Sequence, residues 1–176
     1  DIERFRPDFE VRKVLRAEMG VSQNTFVCLY LGRLNREKGV LDLARGFSKF
    51  AKSHPNVELW VVGPDEHGIN DEILNITRQI SSQVRRVGYT SEPERFMQSA
   101  DLFCLPSYRE GFGSSIIEAA ACSVPSLASR IYGLTDSVIE GRTGWMHEAG
   151  NISDISNKLE MILKDPDEIR TRGEAA

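Results

Sequence analysis

Two glutamates with seven residues between them stand in the string Pro106-Ser107-Tyr108-Arg109-Glu110-Gly111-Phe112-Gly113-Ser114-Ser115-Ile116-Ile117-Glu118. A Gly-Phe-Gly turn separates them, and glycines let backbone amides approach a ligand closely. Ser115 has the form of a capping residue opening a helix, whose N-terminus offers a site for an anion. Glu110, in the loop, can reach hydroxyl groups, and Glu118 falls in the first turn of that helix. Each has a plainer reading. Glu118 would serve as the reciprocal capping partner of Ser115, and Glu110 as an exposed loop charge. Their joint occurrence on one edge of a sheet favours a ligand that is anionic and rich in hydroxyls.

A second cluster is Gly32-Arg33-Leu34-Asn35-Arg36-Glu37-Lys38-Gly39, between a strand and a helix. It crowds three cations at a helix N-terminus, where the macrodipole favours anions. Cations gain there when an anion, phosphate above all, is held between them and the backbone amides. A solvated basic turn is the alternative for this loop alone. The string is neither a P-loop nor a G-x-G-x-x-G fingerprint, so nucleoside triphosphatase and dehydrogenase readings lose support.

The elements that must position these residues alternate along the chain. The pattern predicts a helix over 10–19 closed by Gly20, then a continuous apolar strand over 26–31, of the kind covered on both faces. Val40, Leu41, Ala44, Phe47 and Ala51 recur at helical spacing, with Asp42, Arg45, Lys49 and Lys52 opposite. A strand over 57–62, a helix over 71–82 and a short strand over 84–87 follow. Ser91-Glu92-Pro93-Glu94 has capping-box form and opens a helix running through Phe96. Strands are expected over 101–105 and 126–128 on either side of a helix running from Ser115 through Ala121, and a sixth over 144–147. Ile152, Ile155, Leu159, Ile162 and Leu163 mark a closing helix. The whole reads as a single α/β domain over 1–176, a Rossmann-like parallel sheet of five to six strands with helices on both faces. Ligands in such sheets bind beyond the carboxyl ends of the strands, where both clusters fall.

Bulk properties narrow the classes. The 176 residues are 40% apolar and 27% charged, ordinary for one globular domain. A formal charge of −4 argues against a nucleic-acid partner. No apolar run reaches bilayer length and no signal peptide is present, which points to a cytoplasmic protein. Cys28, Cys104 and Cys122 sit in apolar stretches and read as reduced, buried thiols. His54 and His67 read as surface loop residues, and none of the histidines, His147 included, is assigned a catalytic role. Asp165-Pro166-Asp167, an Asp-x-Asp string at the end of the last helix, reads as a surface turn, and no metal ligands are assigned. The start at Asp1 and the end at Glu174-Ala175-Ala176 read as a piece of a longer protein.

Together these residues resemble the C-terminal, donor-binding half of a GT-B fold, family 4 type retaining glycosyltransferase (glycosyl transferases group 1). The resemblance rests on Glu110 with Glu118, Gly32-Arg33 with Lys38-Gly39, and Val62-Gly63-Pro64. Ala100-Asp101 leading into Leu105-Pro106-Ser107, and Glu140-Gly141 with Thr143-Gly144, complete it. It extends from Arg4-Phe5-Arg6-Pro7 to the closing helix, and it implies that an N-terminal acceptor-binding half is absent. By motif position it implies that Arg33 and Lys38 bind the donor diphosphate, Glu110 the donor sugar hydroxyls, and Glu118 the ribose hydroxyls. The backbone of Phe112, Gly113 and Ser114 would touch sugar or phosphates, with Gly32 and Gly63 lining the cleft and the base near Arg86-Val87-Gly88. Arg86 stays open between base contact and surface arginine, while Tyr89 and Trp60 read as structural. The family more often carries small apolar residues where this chain has Ser114 and Ser115.

The implied reaction moves a sugar, hexosyl or N-acetylhexosaminyl, from a nucleotide-diphosphate donor with retention. A UDP-sugar is favoured, and the acceptor would be a glycan or lipid-linked molecule in polysaccharide or lipopolysaccharide-type assembly. Arg33, Lys38 and the helix N-terminus would stabilise the leaving diphosphate, so neither cofactor nor metal is called for. The isolated domain is expected to be inactive, and peripheral membrane attachment of the whole protein is compatible with the sequence. The alternative, a non-catalytic sugar-nucleotide-binding module, is opposed by the intact set Arg33, Lys38, Glu110 and Glu118. A receiver-type domain would need acidic residues where Arg33 and Lys38 stand.

Overall fold

The computed structural model describes residues 3–176; Asp1 and Ile2, the start of the expected 1–176 span, lie outside it. Strands β1 (Phe26–Leu31), β2 (Val57–Val62), β3 (Val84–Val87), β4 (Leu102–Leu105), β5 (Ser126–Ser129) and β6 (Gly144–His147) form one sheet. All pairings are parallel, in the order β3-β2-β1-β4-β5-β6. The order reverses between β1 and β4, the switch point at which doubly wound sheets open a crevice.

The helices are α1 (Phe9–Glu18), α2 (Val40–Ala51), α3 (Ile69–Ile76), α4 (Pro93–Ser99), α5 (Ser114–Ala121), α6 (Ile152–Leu163) and α7 (Pro166–Ala175). Alternate strand residues point to opposite faces, and here both faces are apolar. Cys28, Tyr30, Leu59, Val61, Leu102 and Cys104 pack with α2, α3 and α6. Val27, Leu29, Trp60, Val62, Phe103 and Leu105 pack with α1, α4 and α5. The three cysteines are free and buried, as their apolar surroundings suggest. Among the described residues no helix is long and apolar enough to cross a membrane.

Departures from the sequence pattern have local causes. The helix expected over 71–82 stops at Ile76, and the Thr77 hydroxyl donates back to the Ile73 carbonyl at 2.8 Å. A 3-10 helix, Arg78–Gln83, replaces the rest. Ser91 does not cap α4; Glu92 holds the N-cap position without a side-chain bond, and the helix runs past Phe96 to Ser99. Asp165-Pro166-Asp167 is a helix start, not a surface turn: the Asp165 side chain accepts from the Glu168 amide at 3.1 Å, and Pro166 leads α7. His54 lies in a loop and is partly exposed, with its Nε2 2.8 Å from Glu160 Oε1.

A buried arginine closes the end of the sheet opposite the crevice. Arg16, on α1 and fully buried, donates from Nε to the Ser99 carbonyl at 3.0 Å. Its Nη1 reaches the carbonyls of Ser22 (3.1 Å), Gln23 (3.1 Å) and Thr25 (2.8 Å). Its Nη2 meets Asp101 at 2.7 Å, and the same Asp101 oxygen accepts from the Val27 amide at 2.8 Å. The clasp joins α1 to the starts of β1 and β4. Arg12 also meets Asp101, at 2.6 Å, so removing Arg16 leaves the acid one cation but strands the carbonyls that Arg16 serves. Arg16→Leu should therefore cost about 3 kcal/mol and lower the thermal midpoint by about 10 °C, as read by calorimetric melting.

Candidate active site

Three loops meet at the carboxyl ends of β1, β2 and β4. After β2, Gly63 lies at φ 140, and a Cβ built on it would stand 2.0 Å from the Gly32 carbonyl oxygen. Its amide is shared by the Val87 (3.0 Å) and Gly88 (3.1 Å) carbonyls at the end of β3. After β1, Asn35 opens a 3-10 turn, Arg36–Lys38, by accepting from the Lys38 amide at 3.1 Å. Gly39 then begins α2 at φ 65, where a Cβ would stand 2.0 Å from the Pro106 oxygen. No side chain other than hydrogen fits at either contact.

The β1 and β4 loops border a cavity of about 370 Å³, lined by Gly32, Lys38, Glu110, Phe112, Gly113, Ser114 and Ser115 among others, while Arg33 and Gly63 lie outside its lining. Within it Lys38 Nζ lies 2.7 Å from Glu110 Oε1, which also accepts from the Ser107 hydroxyl at 2.7 Å. A wider hollow of about 710 Å³, bounded by Phe9, Phe26, Pro125 and Ile169, opens instead at the amino ends of the strands. The smaller cavity holds the candidate chemistry, and its position obeys the switch-point rule.

The loop cations do not stand unpaired. Arg33 Nη1 is 3.1 Å from Glu66 Oε1, Arg36 Nη2 is 2.7 Å from Glu72 Oε1, and Lys38 is held by Glu110. Carboxylates from other parts of the chain already supply the anions that this cationic turn calls for. A phosphate entering the site would exchange for a carboxylate. Sequence reading missed Ser107 and Glu66. Ser107 carried a signal, a hydroxyl three residues before Glu110; Glu66 lies in another loop and carried none.

At the second glutamate the capping-box reading fails. The N-cap of α5 is Gly113, left-handed at φ 66, with no side-chain cap, so Ser115 and Glu118 are released from capping. The N-terminus of α5 opens onto the cavity through Gly113, Ser114 and Ser115. Glu118 lies one turn further along, half-buried and outside the cavity lining. Burial raises its carboxyl above the usual range, and the positive charge of Arg4 acts against that rise.

The remaining candidates divide. Arg86 is exposed on the edge strand β3, its Nη1 donating to the Asn70 carbonyl at 3.2 Å, and neither it nor Val87 lines the cavity. Trp60 is buried and donates to Glu58 at 2.9 Å, in keeping with a structural role. Tyr89 is 78% exposed, which overturns its reading as structural. His147 ends β6, buried, with its pKa lowered by that burial. Phe112 is 62% exposed at the cavity mouth, with its carbonyl tied to the Ser137 hydroxyl at 2.6 Å.

Residues 11–176 match the family described as "Glycosyl transferases group 1". The chain belongs to this family. Among curated relatives, the "Capsular polysaccharide biosynthesis glycosyltransferase CapM" of Staphylococcus aureus is 32% identical over 145 residues, 81% of this chain and 38% of its own length. A "D-inositol 3-phosphate glycosyltransferase" of Corynebacterium jeikeium is 32% identical over 186 residues, covering 100% of this chain and 44% of its own length. This group 1 chain thus spans about two-fifths of the curated relatives it matches. Among solved structures, Anabaena Alr3699/HepE "in complex with UDP and glucose" superposes with a TM-score of 0.87 at 25% identity, over 99% of this chain and 48% of that one. The C-terminal domain of a group 1 protein, LpcC of Francisella tularensis, shares the fold at TM-score 0.88 and 18% identity, with 99% of this chain and 93% of that one covered.

The contact of Gly63 with Gly32 sets how closely the first two loops approach, and it tolerates no Cβ. Gly63→Ala in this group 1 domain should cost more than about 2 kcal/mol, from positive-φ strain and displaced backbone together. Denaturant unfolding would show this as a lower midpoint at unchanged slope.

Proposed function

We propose that this domain holds the nucleotide-diphosphate sugar donor of a two-domain, retaining glycosyltransferase, with a UDP-sugar favoured. The observation that carries the reading is the 2.7 Å pair of Lys38 and Glu110, set in a cavity onto which the N-terminus of α5 opens. That combination suits a ligand with an anionic end and a hydroxylated end. HepE, solved in complex with UDP and glucose, supports the donor class.

In the proposed reaction the diphosphate replaces Glu110 as the partner of Lys38 and engages Arg33 and the α5 amides. Glu110, still held by Ser107, then accepts hydrogen bonds from donor sugar hydroxyls. As the anomeric bond breaks, its electron pair moves onto the departing diphosphate oxygen, while the acceptor hydroxyl oxygen bonds to the anomeric carbon and its proton passes to the released diphosphate. The two cations and the helix N-terminus stabilise that charge in a cleft that an N-terminal half would close from water. No cofactor or metal enters this scheme. Glu118 would accept from the ribose hydroxyls, with Gly32 and Gly63 beneath the nucleotide and the base towards Arg86 and Val87.

The sugar transferred would be a hexose or N-acetylhexosamine. The acceptor, a glycan or lipid-linked molecule of polysaccharide or lipopolysaccharide-type biosynthesis, would be bound by an N-terminal half. Such an enzyme would work in the cytoplasm, with any peripheral membrane contact made through that half.

Calorimetric titration of the chain with UDP, GDP and ADP tests this directly. One diphosphate should bind selectively, and Arg33→Ala and Glu118→Ala should each weaken it about tenfold or more. Binding that survives both substitutions unchanged would refute the site. A pH series adds a second check. Hydrogen bonds from ribose stabilise ionised Glu118, and that form is lost as pH falls through its burial-raised pKa. Affinity should therefore drop more steeply in wild type than in Glu118→Gln as pH is lowered from neutrality towards the carboxylate range. Titration of the ligand's own phosphates is common to both proteins and cancels.

A further inference from the structure

We propose that Glu66, which is not among the donor-contacting residues above, is a positioning residue that presents both diphosphate-binding cations to the donor. The inference rests on the donor-site reading. Each oxygen of Glu66 has a separate partner: Oε1 faces Arg33 Nη1 at 3.1 Å, and Oε2 accepts from Asn35 Nδ2 at 3.0 Å. Asn35 in turn accepts, through its Oδ1, from the Lys38 amide at 3.1 Å and so shapes the 3-10 turn that carries Lys38. One carboxylate therefore bears on Arg33 directly and on Lys38 through a single intervening side chain.

The ground under Glu66 is rigid. Its amide donates to the Leu34 carbonyl at 3.2 Å, while the Leu34 amide donates to the Pro64 carbonyl at 2.8 Å. Leu34 is buried, so the β1 and β2 loops are pinned together beside the pair. The preceding residue, Asp65, accepts from the Ile69 (2.8 Å) and Asn70 (3.2 Å) amides and locks the turn onto the start of α3. Arg33 itself is 63% exposed and Glu66 31%. A pair that open contributes little to stability. What it does is choose among the rotamers of a long side chain. An arginine fork held at one nitrogen keeps its other donors for a second oxyanion.

Electrostatics supplies a test of sign. Simple Coulomb reasoning says that deleting a carboxylate beside a phosphate site strengthens anion binding. Positioning says the reverse. The measurement is calorimetric titration of this chain with UDP, GDP and ADP in wild type, Glu66→Ala, Glu66→Gln and the Arg33→Ala background, alongside the matching nucleoside and a thermal melt. We expect Glu66→Ala to weaken the preferred diphosphate about tenfold. Nucleoside affinity and thermal midpoint should stay unchanged. Glu66→Gln, which keeps an acceptor oxygen without the charge, should recover part of the loss. With Arg33 already replaced by alanine, the Glu66→Ala effect should shrink. Equal or tighter diphosphate binding by Glu66→Ala overturns the inference while leaving the donor-site reading intact. Failure of wild type to bind any diphosphate overturns both.

Discussion

Backbone meets backbone between the loops that follow β1, β2 and β4, and the candidate site is a consequence of that contact. The Gly63 α-carbon lies against the Gly32 carbonyl, and Gly39 against the Pro106 carbonyl, each so closely that a Cβ would stand 2.0 Å from oxygen. Side chains that radiate from loops in such contact have little freedom to drift apart. Arg33 and Lys38 come from one of these loops, Glu66 from the second, and Glu110 from the third. Glycine at these places raises the conformational entropy lost on folding. The two apolar faces of the sheet offset that cost, since most strand residues of β1, β2 and β4 are fully buried.

The electrostatics follow from the same approach of loops. With a formal charge of −4, the chain as a whole does not attract an anion, so attraction has to be local. Three cations in one turn would repel one another and splay into solvent if left alone. Glu66, Glu72 and Glu110 each take one of them, which fixes where the positive charge sits before a ligand arrives. In the proposed site a diphosphate would meet an arrangement already made, with part of the ordering cost met by folding.

The sequence patterns carried the alternation of strands and helices because both sheet faces are apolar and the strand runs are nearly continuous. They did not carry the strand order, which depends on which crossovers lie on which face. Local signals failed where another residue competed. Ser115 had the form of a cap, but Gly113, in a left-handed conformation, turned the chain into α5 two residues earlier than Ser115 would have. Thr77 ended α3 by bonding back to Ile73, and Asp165 began a helix that no apolar periodicity had announced. At the site, Lys38 and Glu110 were legible as residue types but not as partners, being 72 positions apart. Glu66, 33 positions from Arg33, was invisible because nothing in its own loop suggests chemistry.

The two glutamates of one motif end in different surroundings, and the difference suits different tasks. Glu118 lies half-buried on the helix, where loss of hydration favours its protonated form. Glu110 is fixed as a partner of a cation and a hydroxyl at the same oxygen. In the proposed reaction, the step that seats the leaving group also removes Lys38 from Glu110. The carboxylate then keeps Ser107 but loses its compensating charge, next to the ring on which positive charge develops. Its attraction for that ring is small in the ground state and grows as the anomeric bond stretches. Interactions of that kind, weak to substrate and strong to the transition state, are those that raise the rate and not merely the affinity.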